Sequence, residues 1–359
     1  MNPKPLATAL LVLAEIFSSS AHADLPLGYT FTFIPELGWP LSINNAGQVL
    51  GSTSVEQGSG LLWENGNISP LGGIVSSLNN SGQIAGSISG HAVVWNGNVP
   101  APLPGLANDG ESAAIGINDM GQVSGWSDSP SGHVPVVWNG TTPNALLPAG
   151  EVVGINNHGQ VLGQFDFGTS NKLSWHPVIW QGNNFTDLGA LNGRDINMAR
   201  SINDAGQVVG FSYDESTYDN HAAFLWENGG MTQLAAPGSY ADALDINNHG
   251  QIVGQSGSPF DPGADSLAVI WDKGKMYDLS GYINPHLVED GWAMLLASSI
   301  NDKGQIIGFG FNRVTNVSGT FLLTPIPEPE TYAMFTAGLG VISLVARRRK
   351  RTAVATECV

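Results

Sequence analysis

The stretch Ile43-Asn44-Asn45-Ala46-Gly47-Gln48-Val49-Leu50-Gly51 occurs, with small variations, seven times in this chain. Successive Gly-Gln pairs are 35 to 54 residues apart. Asn and Asp side chains stabilise tight turns, and glycine supplies the positive φ that such turns need. Each copy therefore predicts a turn followed by a returning strand. The other six copies surround the pairs that begin at Gly82, Gly121, Gly159, Gly206, Gly250 and Gly304.

A second phrase follows six of the seven copies and consists of apolar residues, a tryptophan and a turn. Its first instance is Leu61-Leu62-Trp63-Glu64-Asn65-Gly66, in which Asn-Gly is a strong hairpin signal. Short apolar strands such as Ile68–Leu71 come next. A tryptophan that recurs at one position of a repeat indicates a core residue more than a ligand contact. The others are Trp95, Trp138, Trp180, Trp226 and Trp271.

Each repeat thus predicts four antiparallel strands, here called a to d, which is the layout of a propeller blade. The seventh repeat offers a third strand, Thr320–Thr324, but no fourth. Tyr29–Ile34, ahead of the first repeat, has the pattern of a fourth strand and would complete the last unit. The predicted fold is an all-β, seven-bladed β-propeller over residues 24–324, closed by the N-terminal strand. A β-solenoid is the alternative, but it would not explain the missing strand.

The repeats resemble the HAF repeats of extracellular bacterial proteins, in which His-Ala-Phe precedes the tryptophan. The closest copy is His221-Ala222-Ala223-Phe224-Leu225-Trp226, with one inserted residue. His91-Ala92-Val93-Val94-Trp95 and His176-Pro177-Val178-Ile179-Trp180 are more distant copies. The resemblance covers most of Tyr29–Leu323. It implies architecture and export, with no activity attached.

Residues 1–23 have the pattern of a secretory signal peptide. Lys4 precedes the apolar run Leu6–Ala14, and Ala21 and Ala23 supply the small residues of a cleavage site. The run is too short for a membrane span, which needs about 20 residues. We expect export through Sec and a mature chain that starts at Asp24. A buried N-terminal helix is the alternative.

A Pro-rich linker at 325–330 leads into the uncharged segment Thr331–Ala346 and a basic cluster. Prolines neither continue a helix nor donate in a sheet, so they mark the end of the folded domain. Residues 331–351 predict a single transmembrane helix with a cytoplasmic basic stop, followed by a short tail at 352–359. The basic residues are Arg347, Arg348, Arg349, Lys350 and Arg351.

This C-terminal order resembles a PEP-CTERM sorting signal, in which Pro327, Glu328 and Pro329 would be the recognition residues. The resemblance implies recognition and cleavage by the membrane enzyme exosortase in Gram-negative bacteria that make exopolysaccharide. Residence in the inner membrane would then be transient, with the cell surface or the extracellular space as the destination. A plain tail anchor or a buried hairpin is the alternative.

Charge excludes several classes of partner. The chain has a net charge of −17, and its 13 basic residues include Lys4 and the basic cluster, so the central part is still more acidic. This argues against nucleic acid and against an anionic membrane surface as partners. Divalent cations remain compatible with it. Cys358 in the tail is the only cysteine, so the body has neither disulfide nor thiol chemistry.

Variable loops on a rigid scaffold are the usual binding surface, and here the b–c loops and d–a crossovers absorb the extra length. They mix carboxylates with aromatic residues, a combination that suits sugar rings. Solvated loops with packed aromatics are the alternative. Candidate ligand-binding residues are Trp175, Tyr213, Asp214, Tyr218, Asp219 and Trp292. Candidate calcium ligands, without the spacing of an EF-hand, are Asp214, Glu215, Asp219, Asp261 and Asp265.

The sequence contains no G-x-S-x-G, H-E-x-x-H or P-loop motif. The first hypothesis is therefore a non-catalytic exported protein that binds exopolysaccharide or another surface protein. One alternative is a carbohydrate-active propeller enzyme, a glycosidase or lyase. The other is a structural matrix protein whose acidic faces are bridged by calcium. No cofactor other than calcium is predicted.

Overall fold

The computed structural model describes residues 25–26, 28–54, 58–107, 110–130, 132–169, 172–182, 184–216, 221–257 and 266–327. Residues 27–327 form one compact unit. In the described part, the one α-helix is α1 (Pro285–Glu289), and no helix is long and apolar enough to cross a membrane. The predicted signal peptide and the predicted transmembrane helix at 331–351 lie outside the described residues.

The strands form four-stranded antiparallel groups, named units A to G. Unit A holds β2 (Trp39–Ile43), β3 (Val49–Ser52), β4 (Gly60–Glu64) and β5 (Asn67–Pro70). Unit B holds β6 (Ile74–Leu78), β7 (Gln83–Ile88), β8 (His91–Asn96) and β9 (Val99–Pro102). Unit C holds β10 (Ser112–Ile117), β11 (Val123–Ser129), β12 (Gly132–Asn139) and β13 (Thr142–Ala145). Unit D holds β14 (Glu151–Ile155), β15 (Val161–Asp166), β16 (Trp175–Gln181) and β17 (Asn184–Asp187).

The remaining units follow the same a-to-d order until the last. Unit E holds β18 (Ile196–Ile202), β19 (Val208–Tyr213), β20 (Ala222–Glu227) and β21 (Gly230–Gln233). Unit F holds β22 (Ala241–Ile246), β23 (Ile252–Ser256), β24 (Leu267–Asp272) and β25 (Lys275–Asp278). Unit G holds β26 (Trp292–Ile300), β27 (Ile306–Asn312), β28 (Val317–Pro325) and, from the other end of the chain, β1 (Tyr29–Ile34).

Strand β1 pairs antiparallel with β28 from Tyr29 opposite Pro325 to Ile34 opposite Thr320. The N-terminal strand is therefore the fourth strand of unit G. Units D and E are joined by one parallel pair, Trp175 with Ile196, into an eight-stranded sheet. The prediction of an all-β chain made of four-stranded antiparallel sheets is confirmed.

In the recurring Ile-Asn phrase, each polar atom of the asparagine side chain has hydrogen-bond partners, and these bonds hold the turn. Asn44, which is 3 % exposed, accepts hydrogen bonds from the backbone N–H groups of Ala46 and Gln48 at 3.0 Å each. Its Nδ2 donates to the Gln48 Oε1 at 2.7 Å and to the Asn79 carbonyl at 3.0 Å. An amide both accepts and donates, whereas aspartate only accepts, so this position needs asparagine.

The second of these donations links each unit to the next. The Nδ2 group of Asn44 reaches the Asn79 carbonyl in unit B, and the equivalent asparagine of each later unit reaches its successor. The last one, Asn301, donates to the Asn44 carbonyl at 2.8 Å, so the series returns to its start. The seven donors, in order, are Asn44, Asn79, Asn118, Asn156, Asn203, Asn247 and Asn301.

The residue after each of these asparagines forms a second cycle, in which a backbone N–H donates to the Oδ1 of its successor. Asparagines separate the aspartates, and the Asn157 Nδ2 lies 3.2 Å from the Asp119 Oδ2 and 3.0 Å from the Asp204 Oδ2. No two carboxylates are therefore neighbours, which avoids repulsion between like charges. The members are Asn45, Asn80, Asp119, Asn157, Asp204, Asn248 and Asp302.

Every unit also has a β-bulge between its first two strands, as between Ala243 and Asp245 in unit F. The final glycine of the phrase lies beside it. In unit F, a Cβ on Gly254 would lie 2.0 Å from the Asp242 carbonyl oxygen, so no larger residue fits. The glycine therefore permits the close strand approach that the bulge requires.

Candidate functional site

Two cavities, of about 200 and 220 Å³, are lined by corresponding positions of the units, and Asp245 lines both. The equivalents of Asp245 are small: Ser42, Ser77, Gly116, Gly154, Ser201 and Ser299. Asp245 therefore introduces a single carboxylate where the other units have serine or glycine.

Four donors surround the Asp245 carboxylate. The hydroxyls of Ser201 and Ser299 donate to it at 2.7 Å each, and the backbone N–H groups of Ile246 and Ile300 donate at 2.9 Å each. Burial nevertheless raises the pKa of the Asp245 carboxyl, because it disfavours the charged form more than these bonds favour it.

The Asp245→Ser variant tests this balance with the residue found in other units. Because the pKa is raised on folding, the folded chain binds this proton more tightly than the unfolded chain. We expect the free energy of unfolding of the parent, relative to the variant, to decrease as pH rises above the ordinary range of an aspartate. Urea unfolding from pH 4 to pH 7 measures it. Parallel pH profiles for the two chains would contradict the expected direction.

The parallel pair between units D and E brings two of the predicted ligand residues near each other. Trp175 lies opposite Ile196, which in turn pairs with Tyr213. Both aromatic side chains are half-buried. Lys172 lies next to this edge, and its Nζ is 2.6 Å from the Asp195 Oδ1. The hydrogen bond to Asp195 raises the pKa of Lys172, and the charges of Asp214 and Glu215 add to the increase.

The other predicted site residues do not assemble into one described site. Trp292 packs on Phe31 and Phe33, with ring centroids 5.4 and 4.4 Å apart, so it contacts strand β1. Among the described residues, no group of three His, Cys, Asp or Glu side chains could hold a metal ion. The predicted residues outside the described part are Ala21, Ala23, Tyr218, Asp219, Asp261, Asp265, Glu328, Pro329 and the basic cluster.

A stack of rings stands at the unit E–F boundary. The His221 ring lies between Tyr213 at 4.8 Å and Tyr240 at 4.4 Å. Its Nδ1 is 2.9 Å from Asp242, which also accepts from the Tyr240 hydroxyl at 3.1 Å. Burial, and then the Asp242 charge, raise the pKa of Tyr240. These contacts hold the rings of Tyr213 and His221 in place.

A Ser-His-Asp arrangement in unit D has no counterpart in the sequence motifs. The His176 Nδ1 lies 2.9 Å from the Asp187 Oδ1, and its Nε2 lies 3.4 Å from the Ser174 Oγ. Phe167 packs against the imidazole with its centroid 5.0 Å away. This is the order of contacts used by serine hydrolases, although the contact between serine and histidine is long.

An open cleft of about 840 Å³ lies between units D and E, and we name it the D–E cleft. Its walls come from the turns after the Gly-Gln and tryptophan phrases and not from the loops that the sequence favoured. Unit D contributes Gln160, Ile179, Gln181, Asn184, Phe185 and Thr186. Unit E contributes Ala205, Gly206, Gln207, Trp226, Glu227 and Asn228.

Trp226 lines this cleft because Phe224 occupies the place that tryptophan fills in units B and D. In unit D, a Cβ on Gly163 would lie 2.3 Å from the Trp180 ring, and Trp180 is 1 % exposed. In unit E, it is the Phe224 ring that covers the corresponding Gly210. Phe224 is fully buried, while Trp226 remains half-buried at the cleft wall.

The residue opposite the glycine therefore decides how deeply the tryptophan is buried. It is valine in the four units whose tryptophan is at most 1 % exposed: Val93, Val136, Val178 and Val269. It is Leu61 in unit A, where Trp63 is also half-buried. The sequence contains this signal as a contrast between Val-x-Trp and Phe-x-Trp or Leu-x-Trp.

Comparison with known families identifies the C-terminal segment. Residues 325–350 match the PEP-CTERM protein-sorting motif. This confirms the sorting signal that the sequence predicted around Pro327. No curated protein matches the chain.

Comparison with solved structures supports the fold. The β-propeller domain of the Trilobed protease from Pyrococcus furiosus, described as having an open velcro topology, has a TM-score of 0.51 at 8 % identity. The match covers 84 % of this chain and 94 % of that one. Pyrococcus horikoshii acylaminoacyl peptidase has a TM-score of 0.49 at 10 % identity, covering 85 % and 55 % of the two chains. The first likeness indicates a β-propeller-like fold.

Proposed function

We propose that the chain is an exported binding protein of the cell surface or extracellular matrix, delivered by exosortase. The single observation that carries this proposal is the PEP-CTERM motif at residues 325–350, which begins at the final residue of β28. An exported chain whose sorting tail is cleaved would leave the inner membrane and carry its propeller outside the cell. We also propose that the repeats are HAF repeats.

We further propose that the propeller has seven blades and is closed. Two features support this: the cycle of seven asparagine hydrogen bonds, which the bond from Asn301 to Asn44 completes, and the pairing of β1 with β28. In a closed ring every unit has neighbours on both sides, and only the short outer strand of each sheet remains as an edge, which limits edge-to-edge association of an exported protein. It also presents a rigid scaffold, which suits binding.

Cell fractionation in an exosortase-producing host tests the sorting step. We expect the parent chain to lose its tail and leave the inner membrane, and the Pro327→Ala/Pro329→Ala variant to keep its tail and stay there. The variant Val314→Ala, at an exposed residue outside the motif, is the control and should be processed like the parent. Equal size and location of the parent in hosts with and without exosortase would overturn the proposal.

The Ser174-His176-Asp187 arrangement favours a second candidate, a hydrolase that uses a serine nucleophile. Such a serine would react with a fluorophosphonate probe, and Ser174→Ala would abolish the labelling. The Ser129→Ala variant, which changes a serine in unit C, should label like the parent. A parent chain that remains unlabelled excludes this candidate and leaves the binding function in place.

A further inference from the structure

We propose that the D–E cleft binds a neutral saccharide chain. The inference rests on the proposed binding function and adds its location and the class of ligand. A volume of about 840 Å³ lies within the range of about 300–1,000 Å³ that is typical of small-molecule sites. The cleft is open, so a chain of several sugar units could enter from the side.

The charges of the lining select against ionic ligands. The described lining residues include no lysine, arginine or histidine, so an anionic glycan, a phosphate or a nucleic acid would find no counter-charge among them. Glu227 is the one charged residue among the lining residues. Since its Oε2 already accepts a hydrogen bond from the Gln207 Nε2 at 2.8 Å, it is held in place as an acceptor.

The polar side chains of the lining match hydroxyl groups. Gln160, Gln181 and Asn184 carry amides, each of which can donate to and accept from a sugar hydroxyl. Gln181 and Asn184 are exposed, and the contact between Gln160 and Gln181 is long at 3.5 Å. The Oε1 of Gln160 accepts from the Asn156 Nδ2, and that of Gln207 accepts from the Asn203 Nδ2, at 2.7 Å each. Each unit thus contributes one fixed glutamine to the cleft, and unit D adds the exposed amides of Gln181 and Asn184.

Two aromatic rings supply the apolar part of the site. Phe185 lies on the unit D side and Trp226 on the unit E side. Aromatic faces with a polar handle suit sugar rings, which are apolar on one face and polar at the edge. The indole N–H of Trp226 makes no hydrogen bond to a described residue, whereas that of Trp95 donates to the Leu71 carbonyl at 3.0 Å. The Trp226 indole is therefore available to a ligand hydroxyl.

Binding without cleavage follows from the same lining. Glycoside hydrolysis ordinarily uses a pair of carboxyl groups on either side of the bond. Glu227 is the single carboxylate among the lining residues that the structure describes, so these residues provide no pair. We therefore expect the bound saccharide to be released intact.

The first test is calorimetry on the processed protein purified from its exporting host. The probes are neutral tetrasaccharides of glucose, galactose and mannose, with a tetrasaccharide of galacturonic acid as the anionic comparison. We expect saturable binding of a neutral probe, little binding of the anionic one and no new reducing ends. Absence of binding by every neutral probe, or equal binding of the anionic one, would overturn the ligand class.

The matched variants are Trp226→Ala and Trp63→Ala, since both tryptophans are half-buried at the same position of the repeat. Trp63 packs against a different cluster, far along the chain from the D–E cleft. We expect Trp226→Ala to weaken binding by about tenfold or more and Trp63→Ala to leave it within about twofold. Equal losses in both variants would overturn the location.

The Phe224→Val variant keeps Trp226 but gives unit E the residue of units B, C, D and F. The Trp226 ring should then fold over Gly210 and leave the cleft wall. We expect weaker saccharide binding together with reduced quenching of tryptophan fluorescence by acrylamide. Undiminished binding with reduced quenching would overturn the role of the exposed indole. None of these outcomes affects cell fractionation, so failure of this site and failure of the sorting proposal remain distinguishable.

Discussion

A chain that keeps residues 1–23 but resumes at Pro35, and so lacks β1, should have no cooperative unfolding transition. Strand β28 would lose the six residue pairs that it forms with β1. Tyr29 and Ile34, 3 % and 4 % exposed, would leave cavities whose cost is about 2–5 kcal/mol for each large apolar side chain. Typical domains have a free energy of unfolding of about 5–15 kcal/mol, so the loss is comparable with the total stability.

Thermal unfolding followed by circular dichroism measures this effect. Trp292 reports on it as well, since the truncation removes Phe31 and Phe33 from its ring and exposes it. The control resumes at Gly28, keeps the complete strand and should unfold like the parent. A truncated chain with the parent's transition midpoint would show that β1 is not needed, and the closed ring would then have to be abandoned.

The sequence was most informative where the chemistry is local. The positive φ of the turn glycine and the hairpin signal after each tryptophan depend on neighbouring residues only, so the four-strand repeat could be predicted. The strand Tyr29–Ile34 was predicted with the bounds it has, because unit G lacked a fourth strand and this segment had the right pattern. Its pairing with β28 follows from the missing fourth strand of unit G.

The sequence was least informative where residues from different repeats meet. The asparagine of the phrase was expected to hold its own turn, but its Nδ2 also donates to the next unit, as from Asn118 to Asn156. Likewise, the sequence predicted that Trp226 is another core residue. The structure displaces it because the Phe224 ring occupies the space above Gly210, and that contact joins two strands. Trp175 and Tyr213 come near each other only because one parallel pair joins units D and E.

The Asn118→Asp variant should lower the free energy of unfolding by about 3–5 kcal/mol, since it leaves buried polar atoms without partners. Asn118 is 3 % exposed, and its Nδ2 donates to the Gln122 Oε1 at 2.8 Å and to the Asn156 carbonyl at 3.0 Å. A carboxylate would place negative charge against both oxygens. Urea unfolding measures the loss. Met120→Ala, in the same turn but 63 % exposed, should change stability by no more than about 0.5 kcal/mol.

A second substitution separates the turn from the link between units. Gln122→Met removes the Gln122 Oε1 but leaves the bond from Asn118 to the Asn156 carbonyl intact. If the cycle of seven asparagines contributes to stability, Asn118→Asp must cost clearly more than Gln122→Met. Equal costs would mean that Asn118 acts within its own turn only, and the bond to the next unit would then contribute nothing measurable. A larger cost would make the repeated asparagine the residue through which each unit stabilises its neighbour.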